Sequence, residues 1–189
     1  GPAVVEIEMF HDLCCPFSKK MFQTVYDGGV IKEYDGKVKF TFHNVVQTWH
    51  PQSSYMHEAS LAVLQVAGPE KFWEFCAGLF AVQENFFDDK VYEKSRCDIY
   101  KELSEVAAAK GIEAAAVLDQ LAITGEGNKG NKVTQRLKWA TKFHRVRAVH
   151  VTPTVYLNGL EAGIVGSGWT PEEWKKFLDW HLSVAASAT

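Results

Sequence analysis

The stretch His11-Asp12-Leu13-Cys14-Cys15-Pro16-Phe17-Ser18 sets two adjacent cysteines before a proline and puts a serine three residues after the second cysteine. A thiolate attacks disulfides, and the start of a helix favours it over the thiol, because unpaired backbone N–H groups and the helix dipole meet there. Cys15 falls at that point, and Pro16 suits the first helical residue, where an N–H would have had no partner. Cys14 stands one residue earlier, where the chain is still leaving a strand. The plainer reading of Cys15 is a small buried hydrophobe. Ser18, one turn on, either donates a hydrogen bond to the sulfur or stands as a solvated helix residue. A Cys14-Cys15 disulfide closes a small strained ring, which makes Cys14 a poor resolving thiol. Cys76 and Cys97 lie inside helical patterns and read as packed core.

Other residues invite chemistry less strongly. Asp12 can accept backbone N–H groups at the cysteine turn or tune the proton on Cys15, and turn formation is its more ordinary task. The loop Trp49-His50-Pro51 follows a strand and can reach the edge of the Cys15 site, although packing is the simpler role for Trp49. His43, His50 and His57 recur every seven residues, but they fall on a strand, a loop and a helix. Such spacing implies no common focus, and no metal is expected. Gly166-Ser167-Gly168-Trp169 is too generic for a phosphate cradle and reads as a loop.

The elements that must position these residues follow from periodicity. Residues 4–10, VVEIEMF, form a β-branched and aromatic run, a strand that ends at His11 and Asp12. From Pro16 the apolar positions Phe17, Met21, Phe22, Val25 and Tyr26 recur at helical spacing until Gly28-Gly29. Residues 37–46 read as a second strand. Helices are then expected from Ser53 or Ser54 to about residue 67, from Pro69 onward, over 91–109, over 113–121, and over 133–149 after a loop at 124–131. Strand character returns at 151–159, where Asn158-Gly159 signals a hairpin into LEAGIV. Thr170, Pro171 and Glu173 announce the last helix with a capping box, and Trp174, Phe177, Leu178 and His181 or Leu182 line one face.

This order and two loops together resemble the thioredoxin fold, an α/β architecture of β-α-β and β-β-α halves. More narrowly they resemble its DsbA-like branch, in which a large all-helical domain is inserted between the halves. Asp12-Leu13-Cys14-Cys15-Pro16-Phe17-Ser18 and the run from His150 to Gly159 carry the likeness. The resemblance implies a thioredoxin-like domain of residues 1–52 and 149–189 and an inserted helical domain of residues 53–148. It implies Cys15 as the nucleophile and Thr152-Pro153 as a cis-proline pair across the site. Pro16, Phe17, Trp49 and His50 are expected, with Thr152 and Pro153, to contact what binds there. Redox members of the branch end the motif in a second cysteine, where this chain has Ser18. A dithiol resolves its own mixed disulfide, whereas a single thiol waits for another. The implied chemistry is mixed-disulfide exchange through Cys15, as isomerisation, as reduction with glutathione as the resolving thiol, or as glutathione transfer, with a thiol or disulfide, proteins included, as substrate.

The same seven residues are similar to the D-x-x-S-P-Y-S/A opening of kappa-class glutathione transferases and hydroxychromene carboxylate isomerases. Cys15 then replaces the serine that activates glutathione, and the backbone of Thr152 pairs with the glutathione peptide. Cys15-Pro16-Phe17-Ser18 also resembles the motif of monothiol glutaredoxins, with proline in place of glycine. A non-catalytic thioredoxin-fold binding module is the third reading.

Composition bounds these readings. The 189 residues are 47% hydrophobic, 13% aromatic and 23% charged, enough to bury a core in one domain or one domain with an insertion. The net charge of -3, from 20 basic and 23 acidic residues spread along the chain, shows no footprint for nucleic acid or membrane. No run reaches the ~20 apolar residues that span a bilayer. Gly1-Pro2 reads as a protease-site scar, before which a leader could have been trimmed. Four cysteines without spaced pairs and no glycosylation acceptor favour a reducing, cytoplasmic home.

Overall fold

A computed structural model describes residues 5–187. Gly1-Pro2, the proposed scar, and Val4, the first residue of the expected strand, lie outside the described residues. In chain order the elements are β1 (Val5–His11), α1 (Pro16–Phe22, running on as a π turn over Gln23–Asp27), α2 (Val30–Glu33) and β2 (Val38–Asn44). Then come α3 (Ser53–Ala81), α4 (Asp88–Val91), α5 (Arg96–Ala108), α6 (Ala114–Leu121) and α7 (Thr134–Val146). The chain closes with β3 (Thr154–Leu157), β4 (Leu160–Glu161) and α8 (Pro171–Ser187). The expected order of β-α-β, helices, then β-β-α is present.

The chain divides into two compact units. One comprises residues up to His11, Cys15–His43 and the stretch from Val149; the other comprises Asp12–Cys14 and Asn44–Ala148. The first holds a sheet of strand order β2-β1-β3-β4. β1 and β3 run antiparallel, pairing Ile7 with Leu157 and Phe10 with Thr154. Val5, Ile7, Met9 and Phe10 of β1 are all buried, as befits a central strand covered on both faces. Asn158 and Gly159 take φ of 48° and 85°, the left-handed pair that a two-residue hairpin turn needs. β4 is much shorter than the LEAGIV run suggested, and Leu160 and Ile164 are exposed. α8 opens with the expected box: Thr170 N–H donates to Glu173 Oε2 at 2.7 Å and Glu173 N–H to Thr170 Oγ1 at 3.3 Å. Its Trp174 and Leu178 are fully buried.

The helical unit is organised by α3. At Gly68 the backbone takes φ 83° and ψ -178°, a conformation open essentially to glycine alone, and Pro69 restarts the helix. Phe72, Phe75, Cys76, Leu79 and Phe80 of the second half are buried, so FWEFCAGLF forms core. The single helix expected over 91–109 is broken. Ser95 caps a new start, its hydroxyl accepting from Asp98 N–H at 3.2 Å while Asp98 Oδ2 accepts from Ser95 N–H. This local cap outweighs the periodicity before it. Cys97, expected in the core, sits exposed in the first turn of α5 for the same reason. Among the described residues, no helix is long and apolar enough to cross a membrane.

Candidate functional site

In the first unit, β1 ends at His11 and α1 begins at Pro16, with Cys15 as the residue before the helix, extended at φ -81° and ψ 123°. Its carbonyl accepts Lys19 N–H at 3.0 Å, the first bond of the helix. The sulfur is 3.4 Å from the carbonyl oxygen of Thr152. At that separation the thiol donates to the carbonyl. The Thr152–Pro153 peptide bond is cis. Cys15 is 6% exposed, so the residue is buried but not sealed from solvent.

The first turn of α1 sorts its side chains differently from the expected apolar stripe. Phe17 is 61% exposed, whereas Ser18 is fully buried. The inward stripe runs through Ser18, Met21, Phe22 and Val25, at the i, i+3, i+4 and i+7 spacing of one helix face. A solvated Ser18 is therefore excluded. Pro16 and Phe17 stand outward beside Cys15, and Val151, just ahead of Thr152, is 61% exposed. Thr152 itself is 8% exposed.

In the helical unit, the residues just before Cys15 are held by Asp12, whose carboxylate is fully buried. Oδ1 accepts Cys14 N–H at 2.8 Å, an Asx turn, and the Ser53 hydroxyl at 2.5 Å. Oδ2 accepts Gln47 N–H at 3.0 Å and bonds His50 Nδ1 at 2.9 Å. Burial pushes this carboxyl up, but His57, Ser53 and His50 overturn that effect and hold it at about 2. The direct donors carry most of this, because His57 Nε2 is 3.8 Å from Oδ1 and accepts Leu13 N–H at 3.2 Å. Turn formation is thus the role that Asp12 visibly plays.

Two of the three regularly spaced histidines share this focus, against the expectation of none. His50 and His57 both lie at Asp12, while His43 bonds Glu8 at 2.9 Å in the other unit. Trp49 does not pack inside. It is 60% exposed, with its ring set edge-on to His50 at 6.1 Å. It forms one wall of a cleft of about 480 Å³, shared with Gln52, Tyr55, Asp88 and Tyr92. The Gln52 amide donates both to Cys14 Sγ at 3.2 Å and to Asp88 Oδ1 at 3.1 Å. Gln47, Gln52 and Ser53 carry no local signal for these tasks, since each reaches its partner from at least 35 residues away. Cys76 is fully buried, which pushes its thiol up. Among the described residues, no group of three or more His, Cys, Asp or Glu is placed to hold a metal ion.

A family profile described as thioredoxin matches residues 2–180. No protein of curated function matches the chain. Among solved structures, a Pseudomonas syringae protein provisionally described as a protein-disulfide isomerase superposes with a TM-score of 0.77 at 23% identity, over 94% of this chain and 95% of that one. Oxidised BdbD of Bacillus subtilis gives 0.67 at 21% identity, over 96% and 89%. The thiol-disulfide exchange protein alpha-DsbA2 of Wolbachia pipientis gives 0.63 at 20% identity, over 94% and 82%. At these identities the likeness is one of fold: an α/β thioredoxin fold with a helical insertion, as in the DsbA-type structures.

Proposed function

The chain belongs to the thioredoxin family, and on that premise we propose that it catalyses thiol-disulfide exchange through the single sulfur of Cys15. The observation that carries this reading is the placement of Cys15 directly before α1, with its sulfur 3.4 Å from the Thr152 carbonyl of the proline loop. In the proposed cycle the Cys15 thiol first gives up to solvent the proton it donates to the Thr152 carbonyl, and the thiolate attacks one sulfur of a substrate disulfide while the other leaves as a thiolate. A new S–S bond then joins Cys15 to the substrate. An external thiolate, for which glutathione is the candidate, attacks the substrate sulfur of that bond, forming a glutathione–substrate disulfide and releasing the Cys15 thiolate; a second glutathione thiolate then takes up the first as oxidised glutathione and leaves the substrate reduced. Ser18 supplies no second sulfur, so the second step is intermolecular. The exposed Phe17 and Val151, each next in the chain to a residue of the site, favour an unfolded or flexible polypeptide as the disulfide carrier. Four cysteines without spaced pairs suit work in a reducing compartment, the cytoplasm.

The test is reduction of a protein disulfide with glutathione as the electron source. Cys15→Ser is expected to abolish turnover and Cys14→Ser to leave most of it. Glutathione-dependent turnover that survives Cys15→Ser supports the kappa-class transferase or isomerase reading instead. Absence of turnover in the unaltered protein leaves the binding module.

A further inference from the structure

The expectation of charges spread along the chain, with no footprint for a membrane, does not hold over one segment. Between residues 127 and 160 lie seven of the chain's 20 Lys and Arg and none of its 23 Asp and Glu. α7 carries four of the seven, Arg136, Lys138, Lys142 and Arg145, and Arg147 caps its end. Lys132 is already tied to Asp119 at 2.7 Å, but Arg136, Lys138, Lys142 and Arg145 form no ion pair among the described residues.

The apolar residues of α7 point the wrong way for a helix serving only its own core. Trp139, Phe143 and Val146, at i, i+4 and i+7, share one stripe and are 62%, 37% and 81% exposed. The opposite face carries Val133 and His144 inward. Arg136 and Arg147 flank the stripe on one shoulder, and the Arg147 guanidinium lies 5.3 Å from the Phe143 ring centroid. Lys138, Lys142 and Arg145 flank the other, along a shallow groove of about 390 Å³ completed by Thr134, Gln135 and Thr141. With Leu137 also in it, that lining offers cations, hydroxyls, an amide and an aliphatic side chain, but no carboxylate.

We propose that this outward face of α7 docks on the surface of an anionic phospholipid bilayer, with Trp139, Phe143 and Val146 entering the acyl boundary and the flanking cations meeting lipid phosphates. A basic helix with an aromatic and aliphatic stripe has the chemistry of an interfacial helix. A single-stranded nucleic acid would stack on the rings but leave Val146 without a role. An acidic polypeptide would satisfy the cations and leave the stripe in water.

The full chain is to be floated with vesicles of phosphatidylcholine alone and with vesicles about one third phosphatidylserine. Binding to the anionic vesicles only, weakened by salt, supports the proposal. At about fivefold for each cation withdrawn from the surface, Lys138→Gln with Lys142→Gln is expected to weaken partitioning about 25-fold. Trp139→Ser with Val146→Ser is expected to weaken it as well, at unchanged circular dichroism. Four results overturn it: no flotation with anionic vesicles, equal flotation with neutral ones, indifference to the Trp139 and Val146 changes, or equally tight binding to oligouridylate or polyglutamate.

Discussion

Asp12→Asn isolates what the buried carboxylate does for the cysteine turn. The oxygen of the new amide can keep the Cys14 N–H and the Ser53 hydroxyl, and His50 can shift its ring proton so that Nδ1 accepts from the new NH2 group. Gln47 N–H has no such escape, since it now faces a donor at the site where its 3.0 Å bond to Oδ2 stood. One buried amide left without that acceptor costs about 2 kcal/mol. The charge gives an independent route to the size. Lowering the Asp12 carboxyl from 3.8 to about 2, at about 1.4 kcal/mol for each pH unit, corresponds to about 2 kcal/mol. Because the folded value is the depressed one, this stability is fully present above about pH 4 and vanishes as pH falls through about 2. Urea unfolding followed by circular dichroism should therefore separate the two proteins by about 2 kcal/mol at neutral pH and bring them together near pH 2. A gap that keeps its size down to that pH would refute the argument.

Gly68→Ala should destabilise the fold by about 2 kcal/mol, read as a lower thermal midpoint, because alanine has no easy access to the φ of 83° found there. Glu58, 5% exposed, accepts from Arg96 at 3.0 Å and from the Tyr100 hydroxyl. Arg96→Ala should cost about 1 to 2 kcal/mol in chemical unfolding, because Glu58 is buried but keeps the Tyr100 hydroxyl and Arg96 is itself partly exposed, and a loss below about 0.5 kcal/mol would remove the pair from the account. In mass-mapped alkylation of the native protein, Cys97 should be modified readily and Cys76 only after unfolding; native labelling of Cys76 would contradict its burial.

Features fixed by neighbours in the chain were the legible ones. β1, the start of α1 at Pro16, the break before Pro69, the Asn158-Gly159 turn and the Thr170 box each follow from backbone preferences within a few residues. The break before α5 carried such a signal in Ser95 and Asp98, but apolar periodicity masked it. What the chain order hides is convergence. The donors on Asp12 come from residues 2, 35, 38 and 41 positions away, so no spacing rule could assemble them. The inward Ser18 and outward Phe17 were equally hidden. Helical spacing names the members of a face, whereas the tertiary packing decides which face turns inward.

Ser18, buried on the inner face of α1, offers a hydroxyl and no second sulfur, so the proposed cycle through Cys15 would draw its closing thiol from the surrounding solution. Throughput would then rise and saturate with the concentration of small thiols nearby, so the protein would gauge the reducing strength of its surroundings as well as act within them.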